Sequence, residues 1–311
     1  MIVVGGKPHV RPCASIPVDG NEGNDWIVSI SDLYAPLTTP LPLAGASMLT
    51  PTCGSDEPRI ASALRAEAPW MGTVIDSIAD QTAIQLWAGR PWLSFRPMLV
   101  IGPPGAGKTH LARRIGDLSG CGSAILSLAG VSSNAELAGS PRGFRHPQPC
   151  FPAMGMLRIG TANPVVIIDE VEKANAGNLG DPVGTLLGLL ERSTARRFFD
   201  GCVSAEVDLS HVNWILTANS IEGLPAPLLS RVEVVEVAGP RPEHAEMVLA
   251  ALWRDVARDA GLPPSALPRL EAGGETMLLR LFRNTRSVRR LRRAIETLVA
   301  VSARHVPRTV N

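Results

Sequence analysis

One octapeptide constrains the fold of this 311-residue chain more than any other segment. It has the spacing G-x-x-x-x-G-K-T and consists of Gly102, Pro103, Pro104, Gly105, Ala106, Gly107, Lys108 and Thr109. The apolar run 98–101 before it predicts a buried strand, and the run 109–115 after it predicts the first turns of a helix. Strand, glycine-rich turn and helix in this order predict a loop that holds phosphate.

The residue types in this loop suit a polyphosphate and its metal ion. Glycines let consecutive backbone N–H groups face an anion, and the helix N-terminus adds partial positive charge. Lys108 is expected to reach the β- and γ-phosphates, and the Thr109 hydroxyl to ligate Mg²⁺. We include His110, the next residue, among those expected to contact nucleotide. A plain Gly-Pro turn before a helix is disfavoured, because strand, loop and helix are all present.

The composition excludes several classes of protein. Charged residues make up 19% of the chain and the net charge is +1, which argues against a nucleic-acid-binding polycation. The five cysteines form no C-x-x-C pair, so neither a zinc knuckle nor a disulfide framework is indicated. No signal peptide is recognisable at the start, and no apolar run approaches the ~18–20 residues of a membrane span. We therefore expect a soluble, cytoplasmic protein with no membrane partner.

Apolar strands alternate with helices through the middle of the chain. Strands are predicted at 98–101, 124–128, 164–168, 212–217 and 232–237, with helices at 58–68, 70–89, 108–118, 151–159 and 181–192. This pattern predicts an α/β fold with a parallel five-stranded sheet that is covered on both faces.

The pattern changes to helices alone after Gly239, with helices predicted at about 242–260, 264–283 and 285–303. We therefore predict three regions. An irregular, Pro- and Gly-rich N-terminal region occupies 1–56, where it could pack as an arm on a neighbour. A nucleotide-binding α/β domain follows over 57–239, and a small all-helical domain over 240–311.

Two carboxylates follow the predicted strand 164–168. Because buried charge is costly, Asp169 and Glu170 should lie at the carboxyl edge of the sheet, where open α/β sheets bind ligands. Asp169 is expected to hold Mg²⁺, directly or through water. Glu170 is placed to polarise an attacking water as a general base. A strand that merely ends in acidic loop residues is the disfavoured alternative behind a phosphate loop.

Two more polar residues lie near the ends of later segments. Asn219 follows the strand at 212–217 and can contact a γ-phosphate and orient water. Arg231 follows a short loop-helix, from which a guanidinium could reach the γ-phosphate of a neighbouring subunit. Spacing alone leaves open a simple capping role for Asn219 and a surface role for Arg231.

Residues 97–303 together resemble the AAA+ ATPase module of Lon proteases. The similarity rests on the segments 102–109, 127–131, 163–173, 180–182, 217–220 and 228–234. It implies an AAA+ P-loop NTPase that uses ATP and Mg²⁺, with Asn219 as the sensor-1 residue and Arg231 as the arginine finger. Arg289 falls on the sensor-2 arginine of a helical lid domain. The resemblance further implies a ring of identical subunits, a hexamer, that moves a polypeptide substrate.

The sequence departs from the Lon pattern at the first pore loop. Lon-like modules carry an aromatic–aliphatic pair there to grip polypeptide, whereas this chain has Phe144 and Arg145. The aromatic residue is kept and its neighbour is cationic. An acidic substrate strand and a solvated Arg-rich loop therefore both stay open as interpretations.

Lon proteases also cleave their substrate with a Ser–Lys dyad. The lysines of this chain are Lys7, Lys108 and Lys173, and none of them is left for such a dyad. We expect a motor that has no peptidase activity of its own, and a separate peptidase as partner stays open.

An Arg-rich stretch near the C-terminus leaves a nucleic-acid-dependent ATPase as an alternative function. Its members are Arg280, Arg283, Arg286, Arg289, Arg290, Arg292 and Arg293. A solvated lid face is favoured, because Phe282 alone supplies an aromatic side chain among them. A nucleotide-binding scaffold without turnover is the remaining alternative.

Overall fold

A computed structural model describes residues 58–90, 92–129, 133–174, 180–268 and 272–305. Predictions for the N-terminal region fall largely on residues 1–57, which lie outside the described ranges. The strands are β1 (Met98–Ile101), β2 (Ser123–Ser127), β3 (Val165–Asp169), β4 (Phe198–Asp200), β5 (Ala205–Val207), β6 (Asn213–Ala218) and β7 (Glu233–Glu236).

α-Helices flank these strands and follow them in the chain, and some of the short ones were not predicted. They are α1 (Arg59–Glu67), α2 (Gly72–Trp87), α3 (Lys108–Ser119), α4 (Ala135–Ala138), α5 (Phe151–Ile159), α6 (Pro182–Leu190), α7 (Arg192–Ala195), α8 (Ala226–Leu229), α9 (Ala245–Asp259), α10 (Ala272–Thr285) and α11 (Val288–His305). None of the helices in the described part of the chain has the length and apolarity needed to cross a membrane.

Five strands form one parallel sheet in the order β2-β3-β6-β1-β7, which confirms the predicted α/β fold. Ile101 at the end of β1 pairs with Ala218 of β6, and Ile168 near the end of β3 pairs with Leu216. The carboxyl ends of β1, β3 and β6 therefore lie side by side. The phosphate loop, the two carboxylates and Asn219 leave the sheet at this common edge.

Both faces of the sheet are buried, as its apolar strands require. On one face, Trp214 and Leu216 of β6 pack with Leu186 of α6. On the other, Ile215 packs in a cluster with the helices α1, α2 and α3, to which Ile115 belongs. Each fully buried Leu or Ile contributes about 1.5–3 kcal/mol, so these two clusters hold the sheet between its helical layers.

A helical region with its own apolar cluster follows the sheet. Leu252, Phe282, Leu291 and Ile295 are its buried centre. The change from sheet to helices lies between the end of β7 and a 3-10 turn at Pro242–His244. The helical region is confirmed, while the predicted division at 239 and 240 into separate domains stays a prediction.

The continuous helix predicted over 264–283 is wrong. A 3-10 turn at Pro264–Ala266 comes first, and α10 begins only at Ala272. Pro268 explains the difference, since proline lacks an N–H group and its ring collides with the preceding helical turn.

A β-hairpin between α7 and β6 was not predicted. Its strands β4 and β5 are antiparallel, with Phe199 opposite Glu206. Asp200, buried at 1% exposure, closes the turn by accepting the N–H groups of Cys202 (2.9 Å) and Val203 (3.0 Å) on Oδ1. Its Oδ2 accepts the Cys150 N–H at 2.7 Å. This carboxylate thus ties the hairpin to the start of α5.

We predict that Asp200→Asn lowers the free energy of unfolding by about 1–3 kcal/mol. Both carboxylate oxygens of Asp200 accept backbone N–H groups. In asparagine an NH₂ donor replaces one of these oxygens and faces at least one N–H donor, so a hydrogen bond is lost. Denaturant unfolding followed by circular dichroism measures the change. The matched control is Asp76→Asn, whose side chain is 57% exposed in a surface ion pair with Arg65, and which should shift stability by less than about 1 kcal/mol. Equal losses in the two variants would contradict the role given to Asp200.

Candidate active site

The phosphate loop owes its shape to glycines in the left-handed region. Gly105 has φ 83° and Gly107 has φ 95°, values that other residues rarely adopt. A Cβ atom at Gly102 would lie 2.4 Å from the carbonyl oxygen of Val237, which leaves no room for a side chain. Gly107 is the N-cap of α3, so the first free N–H groups of that helix face the loop.

Lys108 and Asn219 meet inside this loop. Lys108 is 8% exposed, and its Nζ donates to the carbonyl oxygens of Gly102 (2.7 Å) and Pro103 (3.1 Å). It also donates to Asn219 Oδ1 at 3.2 Å. Burial lowers the pKa of Lys108, and the nearby carboxylates of Asp169 and Glu172 oppose that shift. The structure therefore brings the predicted lysine and the predicted sensor residue into direct contact.

Asp169 is the centre of a second group of contacts. Thr109 Oγ1 donates to Asp169 Oδ1 at 3.1 Å. The two predicted Mg²⁺ ligands are therefore adjacent. The Thr217 hydroxyl donates to the same oxygen, and Thr217 Oγ1 also accepts the Glu170 N–H at 3.4 Å. The sequence prediction missed Thr217. Its hydroxyl among the apolar residues 214–218 of β6, where Thr217 is 1% exposed, is the signal that could have found it.

Glu170 lies in a constrained conformation next to Asp169. Its φ of 56° places a non-glycine residue in the left-handed region, which costs about 1 kcal/mol or more. Its Oε1 accepts from Lys173 Nζ at 2.5 Å. Glu172 Oε1 accepts both the backbone N–H (3.1 Å) and the side-chain amide (2.8 Å) of Asn219. Lys173 contacts the predicted base Glu170 and Glu172 contacts the predicted sensor Asn219, and neither of them was assigned a role from the sequence.

The charges in this group suit a divalent cation. Asp169, Glu170 and Glu172 lie together, and Glu172 Oε2 is buried without a hydrogen-bond partner in the described part of the chain. Within those residues, no group of three His, Cys, Asp or Glu side chains could hold a metal ion by itself. Mg²⁺ usually takes only one or two protein ligands and completes its shell with water and phosphate. The adjacent oxygens of Thr109 and Asp169 fit that requirement.

A cleft of about 260 Å³ opens from the phosphate loop toward the C-terminal helices. Trp70, His110, Leu252 and Arg289 line it, so α9 and α11 contribute side chains beside the loop. Trp70 Nε1 donates to the carbonyl oxygen of Ala106 at 2.9 Å. The structure therefore places Arg289, the predicted sensor-2 arginine, at the same cleft as Lys108.

His110 faces this cleft beside a buried carboxylate. Its Nδ1 lies 3.3 Å from Asp255 Oδ2 of α9. Burial lowers the pKa of His110 below its usual value, and the Asp255 carboxylate opposes the shift. His110 therefore adds a contact between α3 and the helical region.

Arg231 lies away from the phosphate loop of its own chain. It lines a separate groove of about 870 Å³ together with Glu191 and Arg192. Its Nη1 donates to the Pro227 carbonyl oxygen at 3.0 Å, and its Nε lies 3.9 Å from Glu191 Oε2. The structure thus separates Arg231 from Lys108, Asp169 and Asn219.

Phe144 and Arg145 also lie apart from the nucleotide cleft. They belong to the Phe144 loop, which we define as residues 140–148 and which a bridge between Ser140 and Gln148 closes. The phenyl ring is 66% exposed and Arg145 is exposed as well. An exposed aromatic side chain on a closed loop is available for contact with another molecule.

Comparison with known proteins shows which domain this site belongs to. Residues 98–239 match the family described as "ATPase family associated with various cellular activities (AAA)". A Lon protease of Methanosarcina barkeri is 42% identical over 142 residues, 46% of this chain and 18% of that protein. Lon protease 2 of Thermus thermophilus is 33% identical over 210 residues, 67% of this chain and 26% of that protein. The chain therefore spans about a fifth to a quarter of these relatives.

A solved structure shows the same fold at low sequence identity. It is a chain from the closed-state cryo-EM reconstruction of Hsp104 with ATPγS and FITC-casein. The TM-score is 0.58 at 15% identity, covering 79% of this chain and 47% of that one. The predicted AAA+ fold and the predicted resemblance to the Lon ATPase module are both confirmed.

We predict that Thr217→Val lowers the rate of Mg²⁺-dependent ATP hydrolysis about tenfold, a loss of about 1.4 kcal/mol in transition-state stabilisation. Valine keeps the shape of threonine but removes the hydroxyl that holds Asp169 and accepts the Glu170 N–H. Phosphate release measures the rate, and Thr217→Ser should retain most of it.

The control for this variant is Thr82→Val. Thr82 is also fully buried, and its hydroxyl has no hydrogen-bond partner among the residues described. This substitution should leave ATP hydrolysis unchanged. A loss that is equal in both valine variants would show a general packing effect and contradict the role of Thr217.

Proposed function

We propose that the AAA+ domain of this chain hydrolyses ATP with Mg²⁺ at the interface between identical subunits of a ring and uses the energy to move a polypeptide. The observation that carries this proposal is the convergence of Lys108, Asp169 and Asn219 at one edge of the sheet. Hexameric assembly rests on the resemblance to Lon-type modules, and a cytoplasmic setting rests on the cysteine pattern of the sequence.

The residues at the sheet edge divide the chemistry among them. The loop N–H groups and Lys108 neutralise phosphate charge, and Arg289 adds a cation from the helical region. Thr109 and Asp169 would hold Mg²⁺, which supplies further charge neutralisation when bound. Glu170 accepts a proton from the attacking water at a carboxylate oxygen, and Lys173 positions that carboxylate. Catalysis of this kind is mainly positioning and electrostatics.

The place of Arg231 supports the ring. Its Nε is buried without a hydrogen-bond partner among the described residues, although the guanidinium lies in an open groove far from its own phosphate loop. An arginine that completes the site of a neighbouring subunit requires this separation. Arginine fingers of this kind contribute about 10³–10⁵ to the hydrolysis rate.

The exposed Phe144 loop supports a polypeptide as substrate. Aromatic side chains grip polypeptide without regard to sequence, and Arg145 adds a preference for acidic segments. The few lysines of the chain leave none for a Ser–Lys dyad, so we propose movement without cleavage and a separate peptidase as an optional partner.

Ion pairs in the helical region disfavour nucleic acid as the substrate. Arg292 pairs with Glu296 at 2.8 Å and also with Asp259, and Arg283 lies 3.7 Å from Glu246. These carboxylates neutralise part of the Arg-rich stretch that could otherwise contact phosphates.

We predict that Glu170→Gln binds ATP but hydrolyses it about 100-fold or more slowly, because glutamine cannot accept the proton of water. Phosphate release and fluorescent-nucleotide binding measure the two effects. Glu236→Gln, the same change at the exposed end of β7, should keep full activity. If the wild type turns over ATP no faster than Glu170→Gln, the chain is a nucleotide-binding scaffold and not an ATPase.

Arg231→Ala should keep ATP affinity and lose about 10³-fold in turnover. A mixing experiment tests whether Arg231 acts on a neighbour. Arg231→Ala subunits carry an intact phosphate loop, and Lys108→Ala subunits carry an intact arginine. Mixing the two inactive variants should restore part of the activity, since some interfaces then combine both intact halves. A mixture that stays inactive while mixed rings form would contradict action between subunits.

A further inference from the structure

We infer that the β4–β5 hairpin carries a second contact site for the substrate polypeptide, centred on Phe199 and acting together with the Phe144 loop. This inference rests on the proposed function, since ATP hydrolysis supplies the movement that the contact transmits. It adds a residue to which neither the sequence pattern nor the AAA+ fold assigns a role.

Phe199 is exposed on a strand whose neighbouring residues face inward. Its side chain is 64% exposed, whereas Asp200 is 1% exposed and Phe198 packs against the large core cluster beside β6. Successive side chains of a strand point to opposite faces, so Phe199 points outward when Phe198 and Asp200 point inward. The exposed ring of Phe199 adds nothing to the core, and the hairpin that carries it meets the loop that carries a second exposed aromatic side chain, Phe144.

The hairpin and the Phe144 loop form one structural unit. The Arg142 N–H donates to the Gly201 carbonyl oxygen at 3.3 Å. The Arg142 guanidinium donates to the carbonyl oxygens of Cys202 (3.1 Å) and Val203 (3.4 Å) at the hairpin turn. A Cβ at Gly201 would lie 3.1 Å from Pro141 Cβ, so the two segments are in close contact.

Asp200 fixes this unit to the domain. It holds the hairpin turn through Cys202 and Val203, and it holds the segment that leaves the Phe144 loop through Cys150. The hairpin and the Phe144 loop are therefore held against the same part of the domain. Two exposed phenyl rings on this unit offer an extended chain two points of contact.

The charges beside the two rings favour a polypeptide over a nucleic acid. The Arg142 guanidinium binds backbone carbonyls, and Arg197 pairs with Glu206 at 2.9 Å. Arg145 and Arg196 lie close in sequence to Phe144 and Phe199, both are exposed, and the structure gives neither of them an ion pair among the described residues. This modest positive charge suits an extended polypeptide with apolar and acidic side chains, whereas a phosphate backbone requires a row of free cations.

The test uses fluorescein-labelled casein, an unfolded acidic protein, with the full chain. Phe199→Ala should leave ATP hydrolysis without casein unchanged and raise the casein concentration for half-maximal stimulation about fivefold or more. Phe199→Tyr should behave like the wild type, because it keeps the ring. Phe199→Glu should be more impaired than Phe199→Ala, since it repels an acidic chain. Fluorescence anisotropy measures casein binding in the presence of ATPγS. The affinity should fall in the order Phe199→Tyr, Phe199→Ala, Phe199→Glu.

The control is Met277→Ala on α10, which removes an apolar side chain of similar exposure, 60% for Met277 against 64% for Phe199. It should leave stimulation by casein unchanged. Circular dichroism confirms that each variant is folded.

Three outcomes separate the inference from the proposed function. If Phe199→Ala responds to casein like the wild type while Phe144→Ala does not, the inference is wrong and the proposed function stands. If casein does not stimulate the wild type although ATP is hydrolysed, the polypeptide substrate fails and the inference fails with it. If single-stranded DNA stimulates instead and Phe199→Ala abolishes that effect, the hairpin contacts nucleic acid and the inference is again overturned.

Discussion

The site at the edge of the sheet exists because hydrogen bonds hold three adjacent parallel strands in one register. Because β3, β6 and β1 end at one edge, residues that are more than a hundred positions apart in the chain become neighbours. Lys108 reaches Asn219, and Asp169 receives hydroxyl groups from Thr109 and Thr217. A change of register in any one strand would separate these groups, so the backbone ladder is itself part of the candidate site.

The helical region is joined to this edge through a small number of contacts. Trp70 donates to the phosphate-loop carbonyl of Ala106 and its ring lies 5.2 Å from that of His244, at the start of the helical region. His110 contacts Asp255 of α9, and Arg289 faces the same cleft. A shift of the helices relative to the sheet would therefore alter the cleft beside the phosphates, which is the physical requirement for coupling nucleotide to movement.

Elements that depend on the residues of one short segment could be predicted from the sequence, whereas elements that depend on contacts between distant segments could not. The strands and the phosphate loop could be predicted because apolar runs and glycine spacing are properties of short segments. The hairpin could not, since its three-residue strands depend on the carboxylate of Asp200 and its bond to Cys150. Thr217, Glu172 and Lys173 were missed for the same reason, because their roles exist only as contacts with Asp169, Asn219 and Glu170.

Residue type and spacing were enough to predict the phosphate loop, the carboxylates after β3, the α/β alternation and the resemblance to a Lon-type ATPase module. The chain carries these properties in any conformation. The separation of Arg231 from Lys108, and the exposure of Phe199 on a hairpin bound to the Phe144 loop, became known from the folded chain alone. Strand register and side-chain packing set the distances between segments. Packing depends on many weak contacts between different segments, so no single segment of the sequence contains this information.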